Sequence, residues 1–277
     1  MENKKALILF SGGLDSTTVL HHALSKGYDC TALTIDYNQR HIYEVKSSQE
    51  YLKKENIDGL IFKIDLSQIG GSALTDNEVE VPIESQPGIP ITYVPARNTI
   101  FLSIASMLFG AVAAIGQTNL KRLVAYSSIG HVGYALAGVA TGVISGYESA
   151  IVYIAIYVVM NLGAFSCLYL LKKDGEYKEN ISDLSGISKK HPMIAISFLI
   201  ILFSLAGIPP LGGFFAKFYV FTAVVEQQMY ALAIIGLLTT VISAFYYLKI
   251  IKTIYFDASV ISSVSYTHLR AHETVLD

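Results

Sequence analysis

A chain of 277 residues with 20 basic and 22 acidic side chains carries a formal charge of −2, which excludes the basic surplus a nucleic-acid partner selects. Its 52% hydrophobic and 15% charged residues lean toward a membrane protein, yet about half of the charges fall within residues 1–100. Two cysteines, Cys30 and Cys167, one in each half, are too few for a disulfide framework or a four-ligand zinc site, so no metal site is expected.

MENKK leads straight into a short apolar run rather than a secretory signal. That run, 6–10 (ALILF), reads as a buried parallel strand. Ser11-Gly12-Gly13-Leu14-Asp15-Ser16 follows, then a helix-like stretch stopped by Gly27. A second strand fits 31–37, a helix 41–55 and a third strand 59–65, an alternation that implies βαβ units and a parallel sheet. The Gly-rich turn then sits between strand one and helix one, where helix N-terminal amides hold anionic phosphate. Gly12 and Gly13 permit close backbone approach, and the Ser11 and Ser16 hydroxyls are donors to phosphate oxygens. A Gly-rich turn alone serves many α/β proteins as nothing more than a turn; SGGxDS directly after an N-terminal strand is sharper.

That motif resembles the pyrophosphate-binding loop of the ATP-pyrophosphatase (PP-loop) superfamily. Together with Asp36-Tyr37-Asn38-Gln39-Arg40-His41 and Thr92-Tyr93-Val94-Pro95-Ala96-Arg97-Asn98, it resembles 7-cyano-7-deazaguanine synthase, an ATP-dependent ligase of queuosine biosynthesis, over about residues 4–105. The resemblance implies ATP as cofactor, with Ser11, Gly12, Gly13, Leu14, Asp15 and Ser16 around its phosphates and Arg97 and Asn98 lining the same site. From the residues alone, Arg40 and His41 read equally well as a solvated helix start, and Arg97 as a surface cation. The family's later strands, substrate loop and four-cysteine zinc cluster have no counterpart after Ile104. A parallel sheet deprived of strands exposes edges it was built to bury, so an inactive site is expected.

Five uncharged apolar stretches follow, at 101–116, 123–147, 149–171, 192–216 and 227–248. All but the short first match the roughly 20 residues that span a hydrocarbon core. Lys121 and Arg122, then Lys172, Lys173, Lys178, Lys189 and Lys190, then Lys249 and Lys252 alternate with Glu148 and Glu226. Alternating crossings therefore place all of these cations on one side, which should be cytoplasmic. A cytoplasmic N-terminal part agrees with this only if 101–116 does not cross or the junction breaks the topology; the sequence leaves both open. Lys217 breaks the loop pattern, lying in an apolar segment interrupted by Gly207, Pro209, Pro210, Gly212 and Gly213. Such an interruption implies an unwound middle, and a lysine beside it is either functional or snorkelling to the interface.

GQTNLKRLVAYSSIGHVGY (116–134), NLGAF (161–165) and SLAGIPPLGGFFAKF (204–218) resemble the antiporter-like subunit N of NADH–quinone oxidoreductase, over about 107–257. The resemblance implies Lys217 in a proton path, other membrane subunits of that complex and the lipid bilayer as partners, and a bacterial inner membrane. His131 either lines the same axis or packs helices. Residues 258–277 resemble a translated adapter tail. The expected fold is mixed: a truncated α/β parallel-sheet domain over 1–105, an all-α multi-span bundle over 106–257, and an unstructured tail. A junction inside a helix, without a linker, reads as a chimera inactive in both capacities, since natural fusions join whole domains. The alternative is a functional synthase carried by the SGGLDS domain.

Overall fold

The computed structural model describes residues 4–37, 43–64, 96–170 and 179–257. Asn38–His41, Thr92–Pro95, Lys172, Lys173, Lys178 and the tail 258–277 lie outside them. Strands β1 (Lys4–Leu9), β2 (Tyr28–Asp36) and β3 (Asp58–Lys63) pair in parallel in the order β1-β2-β3, with Leu9 opposite Leu33 and Asp36 opposite Lys63. Helices α1 (Leu14–Ser25) and α2 (Tyr43–Lys54) make the two crossovers. Right-handed crossovers that step in one direction place both helices on one face. There Ile8, Phe10, Cys30 and Ala32 pack with Leu20 and Leu52.

The alternate residues of β2 point the other way. Leu33, Ile35, Tyr37 and Ile64 pack on Ile100 and Ile104 of α3 (Arg97–Ile115), so α3 is the third layer of this domain. The same helix opens the bundle of α4 (Leu120–Ala140), α5 (Ile144–Leu170), a 3-10 turn (Ile181–Leu184), α6 (Ile187–Lys190), α7 (Pro192–Ala206), α8 (Gly212–Glu226) and α9 (Tyr230–Tyr255). Helices α3, α4, α5 and α9 are long and apolar enough to cross a membrane. Exposed Val112, Ile151, Val159, Leu162 and Val241 give the bundle an apolar outside, which suits lipid and not water. Helices α7 and α8, 15 residues each, are about 22 Å long, each shorter than the roughly 20 residues that span a hydrocarbon core.

Helices α3 and α4 form an antiparallel hairpin whose backbones touch through glycine. A Cβ on Gly133 would lie 2.6 Å from the Met107 side chain and 2.9 Å from the Ser103 carbonyl oxygen, while the Ser103 hydroxyl donates to the Gly133 carbonyl at 2.7 Å. Helix α9 runs antiparallel to α4: Tyr134 meets Thr239 and Thr240, and seven residues earlier Ser127 meets Tyr247. The segment after α5 returns to the start of α4, where Leu120 N–H donates to the Glu179 carbonyl at 2.6 Å and Ile181 N–H to the Thr118 carbonyl at 2.9 Å. Lys121, Arg122, Lys189, Lys190, Lys249 and Lys252 thus gather at one end of the bundle, and Glu148 and Glu226 at the other.

Strand β1 lies lengthwise along α3. Lys4 and Lys5 border a cleft with Val112, Gln117, Asn119 and Arg122 at the basic end, whereas Leu9 and Ser11 share a cavity with Arg97 and Leu102 at the other. The sheet therefore flanks the bundle rather than standing above or below it.

Two outcomes follow from the hairpin and the latch that closes over it. Gly133→Val should lower stability by about 1–3 kcal/mol through overpacking, read as thermal unfolding in detergent, while Gly116→Ala, where a Cβ meets nothing within 4 Å, should be neutral. At the latch, Lys121 Nζ donates to Glu179 Oε1 at 2.6 Å and Asn119 Nδ2 to Oε2 at 3.1 Å. These donors, Lys121 first, hold the Glu179 carboxyl below its ordinary range. A carboxylate with a depressed folded-state value stabilises above the ordinary value and loses that contribution as pH falls through its own. Hydrogen-exchange protection at Leu120 and Ile181 should therefore drop only on the acid side of the ordinary carboxylate range. In Glu179→Gln it should be weaker and independent of pH there.

Candidate functional site

The Gly-rich loop occupies the C-terminal end of β1 and the start of α1. Gly12 takes φ +82°, a backbone region open to glycine, and passes against Ser48 of α2, where a Cβ would lie 3.3 Å from the Ser48 Cα. Gly13 is the N-cap of α1 and supplies no side chain, so the first amides of the helix are left to face a ligand. The Ser16 hydroxyl donates to the Gly13 carbonyl at 3.0 Å and lies 3.3 Å from that of Ser11, which shapes the loop from within. Leu14 and Asp15 are exposed on the first turn of α1.

A cavity of about 430 Å³ opens between the sheet and α3. Ser11, Arg97 and Asn98 are in its wall, with Glu44 and Tyr37. Arg97 donates to the Tyr37 hydroxyl at 3.2 Å and stands 5.8 Å from that ring. The structure thus brings Ser11, Arg97 and Asn98 to one cavity, while Gly12, Gly13, Leu14, Asp15 and Ser16 form the adjoining loop. Cys30, buried under the sheet, has its thiol pushed up by burial and by the Asp29 carboxylate, which makes it a poor nucleophile.

The second candidate lies inside the bundle. Helix α7 ends at Ala206 with Gly207 in the left-handed region (φ +86°), and α8 begins at Gly212. Lys217, on the second turn of α8, is 4% exposed. Its ammonium donates to the carbonyls of Leu205 and Ala206, 3.3 Å each, and sits 5.1 Å from the centre of the Tyr134 ring. The last carbonyls of a helix have no partner within it and form the negative end of its dipole, so the broken helix supplies the cation with a ligand. Gly207 is required twice, for its φ and because a Cβ there would lie 3.1 Å from the Lys217 side chain. A Cβ on Gly213 would collide with the Ser204 carbonyl; instead the Gly213 N–H donates to the Ser204 hydroxyl at 2.9 Å, which joins the two half-helices.

Tyr134 stands between Lys217 and a polar cluster around His131. The His131 ring lies 6.2 Å from that of Tyr134, is stacked on Tyr157 at 4.6 Å, and is hydrogen-bonded through Nδ1 to Tyr153 at 2.7 Å and through Nε2 to Tyr247 at 3.2 Å. Ser127 bonds Tyr247, and Tyr157 donates to Ser128 at 2.6 Å. Among the described residues the Tyr255 hydroxyl is the one buried side-chain polar atom without a hydrogen-bond partner. Of this cluster the sequence reading singled out only His131. The signal for the rest was helical spacing of polar residues in uncharged spans: Ser127, His131 and Tyr134 on α4, Tyr153 and Tyr157 on α5, Thr239, Ser243 and Tyr247 on α9.

Comparison with known proteins separates the two parts. Residues 5–118 match the family model of the queuosine biosynthesis protein QueC, and residues 91–243 match that of the NADH:quinone oxidoreductase/Mrp antiporter transmembrane family. The two matches overlap over 91–118, which contains α3. NADH-quinone oxidoreductase subunit N of Pelagibacter ubique is 72% identical over 177 residues, 61% of this chain and 38% of that protein. Subunit N of Parvibaculum lavamentivorans is 54% identical over 158 residues, 57% of this chain and 33% of that protein. The chain spans about a third of the length of the curated relatives it matches. Among solved structures, respiratory complex I from Thermus thermophilus with bound aureothin aligns at a TM-score of 0.53 and 30% identity over 59% of this chain and 37% of that one. The Mrp complex from Dietzia sp. aligns at a TM-score of 0.54 and 27% identity, over 58% and 30% respectively. The chain is therefore a chimera, QueC-like at its N-terminus and an integral membrane protein resembling subunit N beyond it. Because the antiporter model accounts for more than half of the sequence and contains every helix from α3 to α8, the chain belongs to the NADH:quinone oxidoreductase/Mrp antiporter transmembrane family.

Proposed function

We propose that the membrane part is a segment of a proton-translocating subunit N of NADH–quinone oxidoreductase, with Lys217 as its proton-carrying residue. One observation carries this reading: a buried ammonium is held by the two terminal carbonyls of α7. A desolvated cation bound to neutral dipoles gains or loses a proton without breaking an ion pair, which a carboxylate partner would prevent. The partners are the other membrane subunits of that complex and the lipid bilayer. The compartment is a bacterial inner membrane, with the basic end of the bundle on the cytoplasmic side.

The N-terminal part, 1–105, derives in this reading from an ATP-dependent 7-cyano-7-deazaguanine synthase. Ser11, Gly12, Gly13, Leu14, Asp15 and Ser16 would hold the phosphates of ATP against the open amides of α1, with Arg97 and Asn98 across the cavity. Bound ATP supplies the activation of a carboxylate; these residues bind and orient it. The match to that family stops at 118, and α4, α5 and α9 beyond it are long and apolar enough to cross a membrane. Neither reaction is completed by the chain as written.

In a full-length subunit N carrying this segment, Lys217→Met should reduce proton pumping in vesicles by about a hundredfold; unchanged pumping would make Lys217 a structural cation. The purified chain, given 7-carboxy-7-deazaguanine, ATP and ammonia, should form no nitrile by mass spectrometry, and measurable turnover would refute that half of the proposal.

A further inference from the structure

Helix α3 is buried on two sides by elements built for different solvents. On one side it is the neighbour of α4, antiparallel and at the same depth, with Gly110 against Gly130 and Met107 against Gly133. On the other it carries the sheet through Ile100 and Ile104. We infer that these two settings exclude each other: with α3 in a bilayer the sheet leaves it, and with the sheet docked α3 is held out of the bilayer.

The geometry forces the choice. Strand β1 begins beside Val112–Gln117 and ends beside Arg97–Leu102, so it runs along α3 in the opposite direction. Six residues of strand cover about 20 Å, about two-thirds of the thickness of a hydrocarbon core. The sheet thus lies at the depth of the lipid tails whenever α3 and α4 span. Within the described residues β1 and β3 pair on one side only, which leaves a row of backbone N–H and C=O groups at each edge. The outer layer presents Asp15, Glu44, Lys46, Glu50, Lys53 and Lys54, all exposed. Open edges and charged helices meet no partner in hydrocarbon, so lipid displaces the sheet from α3. Undocking uncovers Leu33, Ile35 and Tyr37 and separates Arg97 from the Tyr37 hydroxyl, which ties the loss of the cavity to membrane insertion. The overlap of the two family matches on 91–118 points the same way by an independent route, since both ancestral folds lay claim to this helix.

The test uses the full chain, which has no tryptophan. Leu102→Trp, on the sheet-side cavity of α3, reports lipid contact through quenching of the introduced indole by brominated phosphatidylcholine. Docking is read by a short bismaleimide across Tyr37→Cys and Phe101→Cys, whose native rings lie 5.5 Å apart, in a Cys30→Ser, Cys167→Ser background. Leu9→Cys with Phe101→Cys, both in the cavity wall, is a second pair should the first disturb folding. In vesicles the indole should be quenched and cross-linking should fall about tenfold below its yield in detergent, where amphiphiles rearrange around the sheet. A vesicle sample that keeps the cross-link should leave the indole unquenched. Quenching together with full cross-linking, or neither signal in vesicles, or no cross-link from either pair in detergent, would overturn the inference.

Discussion

In a bilayer every backbone N–H and C=O must find its partner within the protein, because the hydrocarbon offers none. Helices satisfy this segment by segment, and α4, α5 and α9 are long and apolar enough to do so across a membrane. The sheet formed by the described strands does not: each edge group left unpaired there costs several kcal/mol in hydrocarbon, and each charge of α2 adds about 2.5–3.5 kcal/mol near the bilayer centre. Helix α3 is the point where the two regimes meet. Its residues serve a membrane hairpin through Ser103, Met107 and Gly110, and a soluble core through Ile100 and Ile104. Among the described residues, the two parts of the chimera share this helix. Its junction is one apolar helix suited to two partners.

The same constraint gives the buried lysine its site. Interrupting a transmembrane helix frees carbonyls that would be costly against lipid, and the break between α7 and α8 turns them inward to Lys217. The N-terminal side of the break is satisfied as well, since the Gly213 N–H finds Ser204. Glycine is used at Gly207, whose φ lies in the left-handed region and where a Cβ would press on the Lys217 side chain, and at Gly213, where a Cβ would collide with the Ser204 carbonyl. Tyr134 offers its ring face to the ammonium while its hydroxyl is engaged by Thr239 and Thr240, so one side chain serves both a cation and the α9 backbone region. Polar atoms in the bundle are joined across α4, α5 and α9, which fixes their rotation about their own axes in a way apolar contacts alone do not.

At the other end of the chain the Gly-rich loop has Gly12 in the left-handed region, Gly13 as a bare N-cap, and Ser11 and Ser16 bracing the turn. The wall opposite the loop is α3, so Arg97 and Asn98 hold their places only while the sheet is docked.

The alternation of short apolar runs with helical stretches was enough to give a parallel sheet with the Ser11–Ser16 loop at the end of β1, because side-chain periodicity and turn glycines are local properties. The spans were equally legible, since uncharged length is itself the physical requirement; the start of α4 and the end of α9 lie outside the uncharged stretches because Lys121, Arg122, Lys249 and Lys252 extend those helices, whereas α4 stops at Ala140 and Glu148 falls within α5. The Pro and Gly interruption announced a break before Lys217, but not which atoms hold the ammonium: the Leu205 and Ala206 carbonyls become its ligands only because the break sets the second turn of α8 beside the end of α7. Likewise His131 could be named from the sequence, while Tyr153, Tyr157 and Tyr247 become its partners through the packing of three helices far apart in the chain. Sequence determined which segments are soluble, which are apolar and where a helix must break, as each follows from the solvation of a few consecutive residues. Only the tertiary structure decided that α3 would be shared, because that depends on two faces of one helix meeting surfaces that the chain brings together from opposite sides.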